Sequence, residues 1–128
     1  MKYLGIDYGE SKVGIAIGDD ETHLALPYKI ITNLGWDKLF IELIDLIKAE
    51  SVGVVVVGLP LNTIGQPSAQ TQNVRHFVEE LKNKTAVEVA MYDERFSSQE
   101  AQKLIAGKRD DDIAAMIMLQ SYLDANAS

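Results

Sequence analysis

The sequence predicts a mixed α/β fold, a five-stranded sheet with helices on both faces, from three features. The first is the opening: Leu4-Gly5-Ile6-Asp7-Tyr8-Gly9, then at once Lys12-Val13-Gly14-Ile15-Ala16. This reads as an apolar strand, a tight turn, and a second strand folded back on the first. The second is Val52 to Gly58, a near-continuous β-branched run that suits a parallel strand buried on both faces. The third is the helical spacing of apolar residues in the segments flanking that run.

In order, strands are expected at about 2–8, 12–18 and 24–32. A helix follows from about Asp37 to Glu50, with Leu39, Phe40, Leu43, Ile44 and Ile47 on one side. Gly58-Leu59-Pro60 closes the Val52 strand, and a helix from about Ser68 to Asn83 turns Val74, Phe77, Val78 and Leu81 inward. Val87 to Tyr92 is another strand, running into Asp93-Glu94-Arg95-Phe96-Ser97-Ser98. Ser97 with Glu100 makes a capping box for a short helix that stops at Gly107. The last helix runs from about Asp110 to Asp124. This β-β-β-α-β-α-β-α order is that of ribonuclease H-like domains. The same fold supplies the halves of actin-like ATPases, so fold alone does not settle function.

Composition narrows the class. The 128 residues suit one domain spanning 1–128, with 47% hydrophobic residues to fill its core. The absence of cysteine excludes thiolate metal sites and disulfides and fits a reducing cytoplasm. No signal-like start and no apolar run of membrane length are visible, so a soluble cytoplasmic protein is expected. A net charge of −7 argues against a bulk electrostatic binder of nucleic acid. It leaves open an enzyme that cuts phosphodiesters around an acidic metal centre.

Three acidic clusters suit such a centre: Asp7, Asp93-Glu94 and Asp110-Asp111-Asp112. Two-metal hydrolysis needs several carboxylates around cations about 4 Å apart, one activating water and the other stabilising the leaving oxygen. Asp7 ends the first strand near the sheet centre. Its plainer role would be to cap its own turn. Asp93 and Glu94 close the last strand, at the same edge if that strand runs parallel to the first. Alternation puts Asp93 with Val89 and Met91, and Glu94 with Ala90 and Tyr92. Which of the two faces Asp7 stays open at this point. In the third cluster, acidic residues of a first turn serve the helix dipole. Asp111, however, shares a stripe with Ala115, Met118 and Tyr122, the most apolar face of that helix. A carboxylate there needs a positive partner, and a metal would be one. Asp110 and Asp112 fall to either side, as cap and dipole residues.

Other positions carry less. Asn62, in Gly58-Leu59-Pro60-Leu61-Asn62-x-x-Gly65, is a candidate contact to phosphate or sugar, although the segment also reads as a plain turn. Lys12 and Arg95 are candidate phosphate contacts. Ser97 and Ser98 read as caps, and His23 and His76 as surface or packing residues.

Together these segments resemble the YqgF family, also called RuvX: Holliday-junction-resolvase-like proteins regarded as pre-16S rRNA nucleases. The resemblance runs in order through Leu4 to Gly9 with Val13-Gly14-Ile15-Ala16, then Val57 to Asn62 with Gly65. It continues through Tyr92-Asp93-Glu94-Arg95-Phe96-Ser97-Ser98-x-x-Ala101 and Asp111-x-x-Ala114-Ala115-x-x-Met118-Leu119-Gln120-x-Tyr122-Leu123. It implies a ribonuclease H-like nuclease using Mg²⁺ or Mn²⁺ in maturation of the 5′ end of 16S rRNA. The implied catalytic and metal residues are Asp7, Glu94 and Asp111, with Asp93 competing for the middle position and Lys12, Asn62 and Arg95 on the substrate. Implied partners are pre-rRNA and ribosomal particles, with a homodimer as a further option. The alternatives are a resolvase of branched DNA, a non-catalytic RNA-binding assembly factor, and an actin-like ATPase or sugar kinase. The kinase is disfavoured because such enzymes enclose nucleotide between two domains. One departure stands out: Ala106-Gly107-Lys108-Arg109-Asp110 shortens a connection that is longer and basic in the family. That bears on substrate choice and catalytic strength rather than on the fold.

Overall fold

A computed structural model describes residues 1–60, 66–93 and 111–126. Along these, the chain forms β1 (Lys2–Asp7), β2 (Lys12–Asp19), β3 (Leu24–Thr32), α1 (Trp36–Ala49), β4 (Val52–Leu59), α2 (Ala69–Lys84), β5 (Glu88–Asp93) and α3 (Asp111–Ala125). The five strands make one sheet in the order β3-β2-β1-β4-β5. The first three are antiparallel neighbours, and β4 and β5 run parallel to β1. The expected elements are therefore present in the expected order, with ends shifted by a residue or two. The helix expected between Ser97 and Gly107 lies outside the described residues, as do Asn62, Glu94 and Arg95.

The two faces of the sheet are built differently. Along β1 and β2 large and small residues alternate, and strand periodicity sorts them to opposite sides. Leu4, Ile6, Val13 and Ile15 join Val55, Val57 and Val89 against α1 and α2, whose Leu39, Phe40, Leu43, Phe77 and Leu81 fill the larger core. The α1 and α2 residues expected inward are buried, except Ile44, which is only partly so. Val54 and Val56 face the other side, so β4 is buried on both, as its sequence implies.

On that second face lie Gly5, Gly14, Ala16 and Gly18, and α3 rests directly on them. A Cβ built on Gly14 would stand 1.9 Å from the Asp111 carbonyl oxygen. At Gly5 it would stand 2.9 Å from Leu119 Cβ, and at Gly18 3.0 Å from Leu123 Cδ1. The line of closest approach therefore runs Asp111, Ala115, Leu119, Leu123 along the helix. This corrects the expected stripe in part. Met118 is buried, but Tyr122 is only half-buried and packs beside Tyr3 and Tyr92, with ring centroids 6.0 and 5.7 Å away.

Three loops are tied at the end of the sheet where β1 finishes. Asn33 Nδ2 donates to the Gly9 carbonyl (2.9 Å), and Gln70 Nε2 to the Tyr8 carbonyl (3.4 Å). Trp36 Nε1 donates to the Tyr8 hydroxyl at 2.7 Å. The α2 N-terminus carries a capping box in which Ser68 and Thr71 exchange bonds, and the fully buried Thr71 hydroxyl also donates to the Pro60 carbonyl. Among the described residues no helix is long and apolar enough to cross a membrane.

Replacing Gly14 by alanine forces a methyl group into the Asp111 backbone, an overpacking that typically costs about 1–3 kcal/mol. Urea unfolding of Gly14→Ala should show a loss of that size. Unchanged stability would mean that α3 does not rest on Gly14.

Candidate active site

The C-terminal ends of β1, β4 and β5 lie at one edge of the sheet. Register pairs Ile6 with Val57 and Val57 with Met91, so Asp7, Gly58 and Tyr92 stand at one level. β5 runs parallel to β1, so Asp93 closes it at the same edge as Asp7. Two strand spacings separate β1 from β5, roughly 9.5 Å. Between them Gly58 contributes no side chain.

Asp7 alternates with Ile6 and so shares the α3 face with Gly5. Its ladder partner is Gly14, the residue on which the first turn of α3 rests. Asp7 and Asp111 thus border the same glycine from two sides. Their Cα atoms lie within about 10 Å, given antiparallel partners roughly 5 Å apart. Asp111 is half-buried. Asp112 accepts the Ile113 backbone N–H at 2.9 Å, which suits the first-turn role expected of it.

Lys12 opens β2 two residues before Gly14, on the same face and exposed. Asp93 is the last residue of β5 and alternates onto the face of Val89, away from Asp7. Of the expected site residues, the described ones Asp7, Asp111 and Lys12 gather at one corner. Glu94, Arg95 and Asn62 lie outside the described residues. His23 occupies the β2–β3 turn with a left-handed backbone (φ 56), and His76 packs edge-on against Trp36 at 5.3 Å. Neither reaches this corner.

The anchors of the β1–β2 turn, Asn33, Trp36 and Gln70, were not singled out by sequence reasoning. Asn33-x-Gly35 is an Asx-turn pattern and could have signalled the first, since Asn33 Oδ1 accepts the Gly35 N–H at 3.1 Å. The other two depend on tertiary approach and leave no local signature. Beyond the corner, on the same face, burial raises the phenol pKa of Tyr3, Tyr92 and Tyr122, with nearby carboxylates adding to it. For Tyr92 the carboxylates are Asp93 and Asp124; Glu88 acts on both Tyr3 and Tyr122.

A family model described as "RuvX: Holliday junction resolvase" matches residues 1–125. A protein of Maridesulfovibrio salexigens, named "Putative pre-16S rRNA nuclease", is 37% identical over 132 aligned positions, covering 96% of this chain and 98% of that one. Among solved structures, Thermus thermophilus RuvC superposes with a TM-score of 0.65 at 13% identity, covering 98% of this chain and 95% of that chain. The Fowlpox virus resolvase, solved with Holliday junction DNA, gives 0.62 at 13% identity over all of both chains. At such identities the likeness bears on the fold, which is ribonuclease H-like.

Phenols raised above their ordinary value of 10.0 hold their protons more tightly folded than unfolded. Their contribution to stability is complete below about pH 9 and is lost as pH rises through 10 and beyond. Tyr122→Phe removes one share, so its urea midpoint should fall less between pH 9 and pH 11 than that of the wild type. Parallel pH profiles would show that Tyr122 ionises alike in both states.

Proposed function

The chain belongs to the RuvX family, and from that premise we propose that it is a metal-dependent nuclease. Its substrate in this reading is structured RNA, the 16S rRNA precursor near its 5′ end, met in the cytoplasm within assembling ribosomal particles. The observation that carries the reading is the seat of Asp111 on Gly14, beside Asp7. It supports a carboxylate from a helix and one from a strand acting together at an open sheet edge.

Among the described residues no three potential ligands stand together. The proposed third ligand is Glu94, because Asp93 closes β5 on the face of Val89, away from Asp7. Asp7, Glu94 and Asp111 form an all-oxygen donor set, which fits Mg²⁺ or Mn²⁺. Bound there, such cations supply activated water and stabilise the leaving oxygen of a phosphodiester. Asp7 and Asp111 hold their carboxylates on a rigid strand and a packed helix. Lys12 and Arg95 attract the flanking phosphates, and Asn62 contacts phosphate or sugar. With so few basic groups, affinity comes from shape and from the ions rather than from a cationic surface.

The description of the family model favours a second substrate, a four-way DNA junction. Labelled precursor RNA and a labelled junction, each incubated with Mg²⁺ or Mn²⁺, separate the two. The RNA should be cut in a metal-dependent manner. Asp7→Asn should lower the rate by at least roughly a hundredfold, beyond the 10–100-fold of outer-shell changes. Cleavage of the junction alone would move the assignment to DNA. Binding without cleavage would favour an assembly factor, and equal cutting by Asp7→Asn would sink the metal site.

The middle ligand has its own test. Glu94→Gln should match the loss seen in Asp7→Asn, whereas Asp93→Asn should keep most activity. The reverse ranking would make Asp93 the ligand.

A further inference from the structure

The glycine track lets α3 approach closely but does little to fix its rotation, because glycine offers no ridge for a side chain to lock against. Nor does the helix's own pattern fix it. Ala115, Ile117, Met118, Leu119 and Leu123 are all buried, and they point around much of the helix circumference. A directional contact is needed, and Gln120 supplies one.

Gln120 lies about 100° around the helix from Leu119, toward the outer strand β3. Its Oε1 accepts the Ala25 backbone N–H at 2.9 Å, and its Nε2 donates to the His23 carbonyl at 2.7 Å. This is how a strand residue bridges a parallel neighbour: donor to one residue, acceptor from the residue two further on. A third bond, Nε2 to Asp124 Oδ1 at 3.1 Å, fixes which end of the amide faces which partner. One side chain thus pairs helix to sheet edge and occupies the outward donor of Ala25. Pro27, two residues on, has no N–H to offer, so this stretch of β3 is poorly suited to accept another strand.

We propose that Gln120 is the positioning residue that sets the roll of α3 and so aims Asp111 at the ion it shares with Asp7. The inference rests on the reading of Asp7 and Asp111 as metal ligands. Magnitudes make the roll matter. A side-chain tip sits roughly 5–6 Å from the helix axis, so a roll of about 20° carries it about 2 Å. Metal–ligand distances tolerate only about 0.2 Å. Losing Gln120 thus displaces a ligand without deleting it.

The test is Mn²⁺ titration by calorimetry of the full chain as wild type, Gln120→Leu and Asp111→Asn, with the folded fraction of each checked by far-UV circular dichroism. Gln120→Leu should stay folded, bind Mn²⁺ about tenfold more weakly, and regain cleavage as Mn²⁺ is raised. Asp111→Asn should bind more weakly still and not regain it. Wild-type Mn²⁺ affinity in a folded Gln120→Leu overturns the role of Gln120 while leaving the metal centre intact. Wild-type affinity in Asp111→Asn overturns both. Should Gln120→Leu fail to fold, Gln120→Glu keeps the acceptor, loses the donor to His23, and carries the same expectation and the same refutation.

Discussion

The contact between the Asp111 carbonyl and Gly14 is the constraint on which the rest of the corner depends. A helix laid across a sheet normally stands off by the length of the side chains between them. Here Gly5, Gly14, Ala16 and Gly18 remove those side chains, and the first turn of α3 comes down onto the strand that pairs with Asp7. The opposite face shows the ordinary arrangement, with Phe77, Leu39 and Leu43 spacing α1 and α2 from Leu4, Ile6 and Ile15. One sheet therefore carries a thick, stabilising core on one side and a thin seam on the other. The thin seam is what brings the first turn of α3 down beside the end of β1.

Close approach has a cost in definition. A track without ridges and a helix apolar on several sides leave rotation weakly specified, and polar contacts with fixed directions make up the difference. Gln120 against β3 acts at one end of α3, and the acidic first turn, favoured by the helix dipole, lies at the other. Asn33, Gln70 and Thr71 do similar work around the loops, fixing backbone carbonyls at Gly9, Tyr8 and Pro60. The edge where β1, β4 and β5 end is thereby held by side chains that take no part in the proposed chemistry.

Much of this was legible in the chain. Alternation of large and small residues in Leu4-Gly5-Ile6 and Val13-Gly14-Ile15-Ala16 marks a face that another backbone can approach, and α3 is that backbone. The β-branched run of β4 announces burial on both sides. Less legible was the line of contact along α3. Met118 and Leu119 are both buried, and helical spacing alone cannot choose between adjacent apolar ridges. The same ambiguity draws Tyr122 into the stripe, although its ring packs beside Tyr3 and Tyr92. The polar anchors were invisible because a glutamine or asparagine finds its partner only after distant segments meet.

The net charge of −7 fits this picture better than it fits a cationic nucleic-acid surface. In the proposed reading, cations bound at the corner would compensate its acidic residues, and attraction to phosphate would rest on those ions as well as on Lys12. The most direct measurement is a crystal structure of the full chain soaked in Mn²⁺, with the ion located by its anomalous signal. A peak between the carboxylates of Asp7 and Asp111, above Gly14, is the expected result. Ordered density for both side chains with manganese bound elsewhere, or not at all, would contradict it.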